Sequence, residues 1–426
     1  MGGTAYLRLI GLGAAIGVPA ALVAAAFMAL IHELEHWLWD DLPDRLGHAS
    51  PPWYLVLGLP LLGACVVVAA RRLLPGDAGH SPLGGISVEP TPVRHGPGVA
   101  LAAIGTLAFG AVLGPEAPLI ALGSVVGLAV APLVKLDRQE QAVLSTAGSF
   151  SAISALFGGP LVAGLLLLEA GTGLGAALLA TLLPGLVAAA VGYLIFVGLG
   201  DWGGLDQTAL VVPDLPAYEG THLLDLVVGL VVGVVAAVLI TVVRRAATAL
   251  SERGGQRLGM PGLLIGGGLA VGVLALLADV LGADSRDVLF SGQSAIPTLV
   301  KEDSAGIVVI LLAAKALAFA VCLGCGFRGG PVFPAIFLGI ALAMLAVVAF
   351  DVSPTLAVAV GTAAGTAAMA RLLFAGLLFA ALLVGTASLD VIPAAVLAAA
   401  AAWVTMAALD RRAGPAAAEE AGARPA

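Results

Sequence analysis

The sequence predicts an all-α polytopic membrane protein made of two inverted helical repeats. Three observations support this fold class: the composition, a duplicated motif and a reversed charge pattern. The chain has 426 residues, of which 60% are hydrophobic and 11% are charged, and its mean hydropathy is +1.08. Soluble domains carry about 25% charged residues. A chain with so few charges cannot cover a water-facing surface, so we expect a lipid bilayer around it.

Uncharged windows that are long enough to cross or enter about 30 Å of hydrocarbon recur along the chain. They span residues 96–115, 117–134, 142–168, 170–200, 226–243, 258–278, 329–350 and 391–409. In hydrocarbon the backbone amides must bond inside helices. The apolar run 7–31 has no small-residue cleavage site after a short core, which indicates a retained helix. We therefore expect a multi-pass protein of a bacterial-type inner or plasma membrane.

A motif of ten residues occurs twice. GPEAPLIALG begins at Gly114 and GPVFPAIFLG begins at Gly330, and six of the ten positions are identical. Two further pairs keep the same order at nearly the same offset: 79–81 (GHS) with 292–294 (GQS), and 163–166 with 375–378 (AGLL in both). This pattern indicates an internal duplication. We predict two halves, residues 1–210 and 211–410, followed by a short polar tail at 411–426.

Lys and Arg in short loops mark the cytoplasmic side of a membrane protein. They follow several of the apolar windows, at Arg71, Arg72, Lys135, Arg138, Arg244, Arg245, Arg253 and Arg257. The connections 40–44 and 201–221 contain aspartates but neither Lys nor Arg, which suits the outer face. The first half then starts its first crossing inside, and the second half starts outside, near His222. The two repeats are therefore predicted to be inverted.

Inverted repeats whose helices are interrupted by Gly and Pro are typical of transport proteins, in which the substrate binds near the bilayer midplane. Pro118 and Pro334 are each predicted at the first position of a helix. A helix N-terminus carries about half a positive charge and several free N–H donors. Two such ends that converge would bind a small anion without a metal or a full cation, so we expect a transported anion and no further cofactor. This chemistry predicts a transporter and not an enzyme.

Glu116 lies two residues before Pro118 in an otherwise uncharged window. Its carboxylate would compete with a passing anion for the same donors, and protonation would release it. Glu116 is therefore predicted to be a gate and a carrier of protons. The alternative is a carboxylate that only caps its own helix, but acids inside membranes are usually functional. The net charge of −8 lies mainly in loops and in the tail, which argues against a nucleic-acid partner.

The order of these motifs resembles the CLC family of chloride channels and chloride/proton antiporters. GHSP at 79–82 corresponds to the family's GSGIP, GPEAP to GREGP, and GGPVFP at 329–334 to GGxFxP. GGPLVAGLLLLE at 158–169 resembles the helix that follows, and the likeness covers about 5–410. The family implies a homodimer with one anion pathway per subunit, and an external gating glutamate that falls on Glu116.

The resemblance also implies ligands for the anion. Ser81 is the preferred side chain in the first motif, with His80 as the alternative if the alignment shifts by one residue. Backbone groups complete the predicted site, at Gly114, Ala117, Gly330, Val332 and Phe333. Two features depart from the family pattern: Pro331 has no N–H to offer, and the last tyrosine is Tyr218, so the family's tyrosine near the C-terminus is missing. Chloride is the expected ion, and a proton antiporter for fluoride or nitrate is the alternative.

Antiporters of the family usually have an inner glutamate that relays protons. Here Glu169 aligns with the first acid of the family's Glu-Glu pair, and Ala170 occupies the relay position. Glu169 is thus a candidate inner acid, and both a channel and an exchanger remain open. Arg328 is predicted to make a vestibule electropositive, whereas Lys315 and Arg371 are predicted to pair with helix C-termini or to reach the membrane surface.

A competing interpretation comes from HELEH at residues 32–36, which matches the zinc-protease signature HExxH. Catalytic zinc needs a third protein ligand, and no downstream motif on an apolar helix supplies one. The pentapeptide comes just before Trp37, Trp39 and Asp40, where polar and aromatic residues ordinarily meet the membrane interface. We predict an interfacial helix end without a metal, with an intramembrane zinc protease as the alternative.

Overall fold

The computed structural model describes residues 3–171, 176–200, 202–205, 210–385 and 389–413. The described part of the first half forms eight α-helices. They are α1 Gly3–His36, α2 Leu42–Arg45, α3 Trp53–Leu73, α4 Gly96–Leu107, α5 Glu116–Val134, α6 Arg138–Phe157, α7 Pro160–Ala170 and α8 Ala176–Val197. The described part of the second half forms eight more. They are α9 Leu223–Val280, α10 Ser285–Val288, α11 Ile296–Val300, α12 Ala305–Cys325, α13 Val332–Phe350, α14 Pro354–Ala370, α15 Phe374–Val384 and α16 Ile392–Ala413.

The packing of these helices repeats between the two halves. Helix α5 packs on α6, and α13 packs on α14; α6 packs on α8, and α14 packs on α16. The GPEAP motif precedes α5, and the GPVFP motif precedes α13. The halves are thus two copies of one arrangement. The limits 1–210 and 211–410 stay a prediction, and residues 414–426 of the tail lie outside the described residues.

Eight of the described helical stretches are long and apolar enough to cross a membrane. Arg8 near the start of α1 donates to the carbonyl of Val134 at the end of α5 (2.6 Å), so these two ends lie on one face, next to Lys135. The opposite end of α1 leads into Asp40 and Asp41. By the distribution of Lys and Arg the first face is the inner one.

One predicted connection is wrong. Arg244 and Arg257 were expected in a loop between two apolar windows, but both lie within α9, which continues until a single break at Gly259 (φ 66°). The segment that precedes the break contains no proline, and Pro261 follows it. Helix α9 is therefore two helices joined by a kink at Gly259. The first of them continues beyond the predicted window 226–243 and includes the arginines.

The predicted first residues of α5 and α13 are also wrong, because both helices begin two residues earlier. Helix α5 begins at Glu116 and α13 begins at Val332, so Pro118 and Pro334 occupy the third position of their helices and not the first. The N–H groups of the first helical turn have no partner inside the helix, so proline at the third position loses no hydrogen bond. This shift makes Glu116 the first residue of α5.

Candidate functional site

The two copies of the repeated motif meet at their glycines. The N–H of Gly114 donates to the carbonyl of Gly330 (2.7 Å), and the N–H of Gly330 donates to the carbonyl of Gly114 (2.6 Å). This reciprocal pair joins the segments that lead into α5 and α13. Each half therefore places a helix N-terminus beside the equivalent N-terminus of the other half.

The carboxylate of Glu116 lies at this junction and has no exposed surface. Its Oε1 atom accepts a hydrogen bond of 2.6 Å from the N–H of Val332, the first residue of α13. Its Oε2 atom is buried and has no hydrogen-bond partner in the described part of the chain. The acid of one half thus caps the helix of the other half, where the positive end of the helix dipole attracts it.

Glycine is required at both sides of the junction. A methyl group on Gly114 or on Gly330 would fall on the carboxylate of Glu116. The absence of a side chain at these two positions creates the space that the carboxylate fills. The repeated glycines therefore serve to seat Glu116 as well as to bond to each other.

A narrow cavity, here called the inner cavity, lies on the inner side of the junction. It is lined by His80, Ser81, Ala117 and Arg328, among other residues, and its volume of about 30 Å³ holds a water molecule or an ion of similar size. The imidazole of His80 is half exposed and lies 3.7 Å from the carboxylate of Glu89. The structure thus brings both candidates of the first motif to one cavity with the start of α5.

A larger cavity of about 700 Å³, here called the outer cavity, lies on the other side of the junction. Its wall includes Pro115 and Phe333, which are the chain neighbours of Glu116 and Val332. The ring of Phe333 stacks on Phe157 at 5.5 Å between centroids. Glu116 therefore lies between the inner cavity, whose wall includes Ala117, and the outer cavity, whose wall includes Pro115.

Arg328 is buried and bonds to the loop that carries the first motif. Its Nη2 atom donates to the Asp77 carboxylate (2.5 Å), and its Nε atom donates to the Asp77 carbonyl (3.1 Å). Arg71 donates to the same carboxylate through Nε (2.7 Å) and Nη2 (2.9 Å). Two guanidinium groups that share one carboxylate leave a positive charge beside the inner cavity. Sequence reasoning found Arg328 but missed Arg71 and Asp77.

A sequence profile described as voltage-gated chloride channel matches residues 82–406. The chain belongs to the voltage-gated chloride channel (CLC) family. The YfeO ion-transport protein of Salmonella schwarzengrund strain CVM19633 is 31% identical over 347 residues, which cover 78% of each chain. YfeO of Escherichia coli strain K12 / DH10B is 30% identical over 345 residues, which cover 78% of this chain and 77% of the relative.

Solved structures show the same fold. A slow cyanobacterial Cl⁻/H⁺ antiporter superimposes with a TM-score of 0.77 at 18% identity, over 94% of this chain and 95% of the antiporter. A CLC-type fluoride/proton antiporter superimposes with a TM-score of 0.69 at 20% identity, over 95% and 96% of the two chains. The predicted fold class, all-helical with inverted repeats, is confirmed. The protein is an integral multi-pass membrane protein.

Glu169, the candidate inner acid of this CLC chain, lies at the end of α7 and contacts the start of α15. Its Oε1 atom accepts hydrogen bonds from the N–H groups of Leu373 and Phe374, each 2.9 Å, and its Oε2 atom accepts one of 2.8 Å from Ala375. These three donors are otherwise unpaired groups of a helix N-terminus. The geometry is that of a helix cap supplied by the other half.

Glu169→Ala is expected to lower the thermal unfolding temperature of the detergent-solubilised protein. Three N–H groups of a helix N-terminus lose their acceptor, and the loss of such a cap costs roughly 0.5–2 kcal/mol. Glu169→Gln keeps one acceptor oxygen and should lose less stability. Glu252→Ala, at an exposed site on α9, is the control for a surface glutamate. If Glu169→Gln abolished proton uptake at unchanged stability, Glu169 would be a relay and not a cap.

The remaining intramembrane charges of the CLC chain have structural partners. Lys315 is fully buried and its Nζ atom donates to the carbonyls at the end of α10, those of Asp287 (2.8 Å), Val288 (3.2 Å) and Leu289 (2.8 Å). Arg371 pairs with Asp410. Lys315 therefore pairs with a helix C-terminus as predicted, whereas Arg371 pairs with a carboxylate of α16. Neither cation lines the inner cavity among the residues described for its wall.

The HELEH pentapeptide lies at the outer end of α1. Among the described residues, no group of three or more His, Cys, Asp or Glu is close enough to hold a metal ion. His36 lies 3.6 Å from Asp41, and the chain then forms a π-helical turn at Trp37–Asp41. The zinc-protease alternative lacks its third ligand within the described ranges, and membership of the CLC family favours transport.

Proposed function

We propose that the protein transports a small monovalent anion, chloride in the first instance, through one pathway in each subunit of a homodimer in the lipid bilayer. The observation that carries the proposal is the buried carboxylate of Glu116 on the N–H of Val332, between two cavities. The Glu116 carboxylate is negatively charged and accepts a hydrogen bond from Val332, as a bound anion would at the same position. We further propose that the protein is not an enzyme and uses no cofactor besides the transported ion.

The gating mechanism follows from the two states of Glu116. When the acid is ionised, its carboxylate occupies the donor at Val332 and blocks the junction. When it is protonated, it loses its attraction to the helix N-terminus and leaves. The anion then takes the vacated position at Val332, with Phe333 as a second N–H donor. Competition between the carboxylate and the anion thus links the flux to the proton.

The proposed route continues on both sides of the gate. On the inner side Ser81 or His80 contacts the anion, next to Gly114, Ala117 and the positive charge of Arg328. Most of these contacts are dipoles and hydroxyl groups and not full cations at the ion. Such ligands compensate for lost hydration without trapping the ion, as conduction requires. Gly330 contributes backbone groups at the same junction.

A proton antiporter for fluoride or nitrate is the second candidate. One observation favours it: Pro331, which precedes Val332, removes an N–H donor from the motif. The site therefore offers fewer donors than the chloride pattern of the family provides. The fold itself accommodates this alternative, since a solved fluoride/proton antiporter shares it.

Reconstitution of the purified protein into liposomes tests the proposal. Efflux of chloride, fluoride and nitrate is recorded with ion-selective electrodes, and proton uptake is recorded with a pH-sensitive dye in the same vesicles. We expect chloride efflux well above that of protein-free liposomes, increasing as the pH falls. Proton uptake in a fixed ratio to the anion would identify an exchanger, and its absence a channel. Efflux of none of the three anions above the protein-free level would refute the proposal.

A further inference from the structure

The outer cavity has a mostly apolar wall with a few polar side chains. Most of its lining residues are Ala, Leu, Ile, Val, Met, Phe and Pro. Its polar side chains among the described lining are His32, Glu35, Ser291, Gln293 and Ser294. Only His32 and Glu35 of these can titrate. The cavity that borders the gate therefore contains one histidine and one carboxylate in its described wall.

His32 and Glu35 are three residues apart on α1, so they share one face of the helix. His32 is exposed and Glu35 is half-buried, and both belong to the cavity wall; Glu33 and His36 are exposed and do not belong to it. The helix end is fixed by Trp39, whose Nε1–H donates to the carbonyl of Ala108 (3.0 Å). This bond ties the outer end of α1 to the segment that follows α4.

Neither side chain is occupied by a structural partner. Within the described part of the chain, His32 and Glu35 have no hydrogen bond or ion pair. The charged groups within electrostatic reach of Glu35 are Arg286 and Asp40, and these two pair with each other at 2.5 Å. The described lining from the other elements around the cavity carries no titratable group. The next acid toward the membrane interior is Glu116, behind Pro115 and Phe333.

A few polar side chains that converge in a largely apolar pocket are typical of a functional site. Histidine changes its charge near neutral pH and serves as a proton shuttle in many proteins. Glu116 needs such a donor, because its free Oε2 atom is buried and free hydronium is scarce at neutral pH. His32 and Glu35 are the residues of the described wall that can transfer protons to Glu116.

We propose that His32 and Glu35 form the outer proton-transfer site for Glu116. The inference rests on the proposed function, in which protonation releases the gate. A proton passes from outer buffer to His32 or Glu35, then through water in the cavity to Oε2 of Glu116. The donor is reloaded from the outer buffer, and the same steps in reverse return the proton. No bond other than those to the proton forms or breaks.

The test compares two double variants of the same pentapeptide in liposomes. His32→Ala/Glu35→Gln removes the residues on the cavity wall, and Glu33→Gln/His36→Ala removes one Glu and one His beside it. We expect the first variant to lower acid-activated anion flux at an outer pH near 7 by about tenfold or more, because a positioned proton-transfer group contributes about 10²–10⁴-fold. The matched variant should stay within about twofold of the native protein.

Two further measurements separate proton transfer from other roles. Millimolar imidazole in the outer buffer should restore most of the lost flux, since a free proton carrier replaces the missing one; a merely structural defect would not respond, and that result overturns the proposal. In a Glu116→Ala background the effect of His32→Ala/Glu35→Gln should shrink at least about fivefold, in keeping with coupling between residues of one mechanism. An undiminished effect would mean that the pair acts on the anion itself, which also overturns it.

The same series distinguishes failure of the inference from failure of the gate. If Glu116→Ala behaves like the native protein at every pH, then Glu116 is not the gate, and the proposed function and this inference both fall. If Glu116→Ala is open but His32→Ala/Glu35→Gln responds to acid as the native protein does, only the inference falls.

Discussion

Glu116→Ala is expected to leave the anion pathway open at neutral pH and to remove its activation by acid. The substitution deletes the carboxylate that occupies the N–H of Val332, so the anion meets no competitor at the junction. A hydrogen bond to a charged group is worth about 1.5–3 kcal/mol, and about 1.36 kcal/mol corresponds to a factor of ten. Anion efflux from liposomes at neutral pH should therefore rise by about ten- to a hundredfold.

Proton uptake in the same vesicles provides the second measurement. Any coupling between anion and proton should disappear in Glu116→Ala, because the titrating group is gone. Glu116→Gln imitates the protonated acid and should show the same flux without leaving a cavity. Glu33→Gln, an exposed acid outside both cavity walls, is the control. Acid activation of Glu116→Ala equal to that of the native protein would exclude Glu116 as the gate.

Gly330→Ala is expected to remove the activation by acid while Glu116 is still present. The added methyl group would occupy the space of the Glu116 carboxylate, which is also the position proposed for the anion, so neither can reach the N–H of Val332. Efflux at low pH should fall by about tenfold or more, for the same loss of a charged hydrogen bond. The stability should fall by roughly 1–3 kcal/mol, the usual cost of an extra methyl in a packed interior. Flux assays and thermal unfolding measure the two effects.

Gly266→Ala is the matched control, because a methyl group at this glycine of α9 meets no atom within 4 Å. It should leave both flux and unfolding temperature close to those of the native protein. The combination Gly330→Ala/Glu116→Ala separates displacement of the acid from other effects of the methyl group. If Gly330→Ala kept native acid activation, the glycine would not seat the carboxylate as described.

The duplication made one part of the site predictable from sequence, namely the two repeated segments before α5 and α13. The two decapeptides indicated that Gly114 and Gly330 begin equivalent segments, and charge asymmetry indicated that the copies are inverted. An inverted pair placed at the same depth brings equivalent residues together, and the bonds between Gly114 and Gly330 have this geometry. Glu116 was recognisable because it is an acid in an uncharged window.

The rest depended on contacts between residues that are distant in sequence. Arg328 and Asp77 are 251 positions apart, and no repeat or periodicity relates them. The capping of α15 by Glu169 likewise joins groups 204–206 positions apart. The predicted start of α5 at Pro118 was wrong because proline is tolerated throughout the first turn, where no N–H is needed. A sequence pattern therefore does not show which position of the first helical turn a proline occupies.

The outer cavity was missed for a related reason. The residues of HELEH were read as a metal motif or as a helix end at the interface, since their spacing says nothing about which face of α1 meets other helices. In the structure His32 and Glu35 line one cavity with Phe290 and Ser294, and Glu33 and His36 are outside its described wall.

The paired glycines also have a consequence for biogenesis. During synthesis the first half reaches the membrane before the second has been translated, and the N–H and C=O of Gly114 then lack the partners that Gly330 supplies in the finished protein. An unsatisfied polar backbone group in hydrocarbon costs several kcal/mol. The nascent first half must therefore keep this segment hydrated or shielded until translation delivers Gly330, which completes the hydrogen bonds beside Glu116.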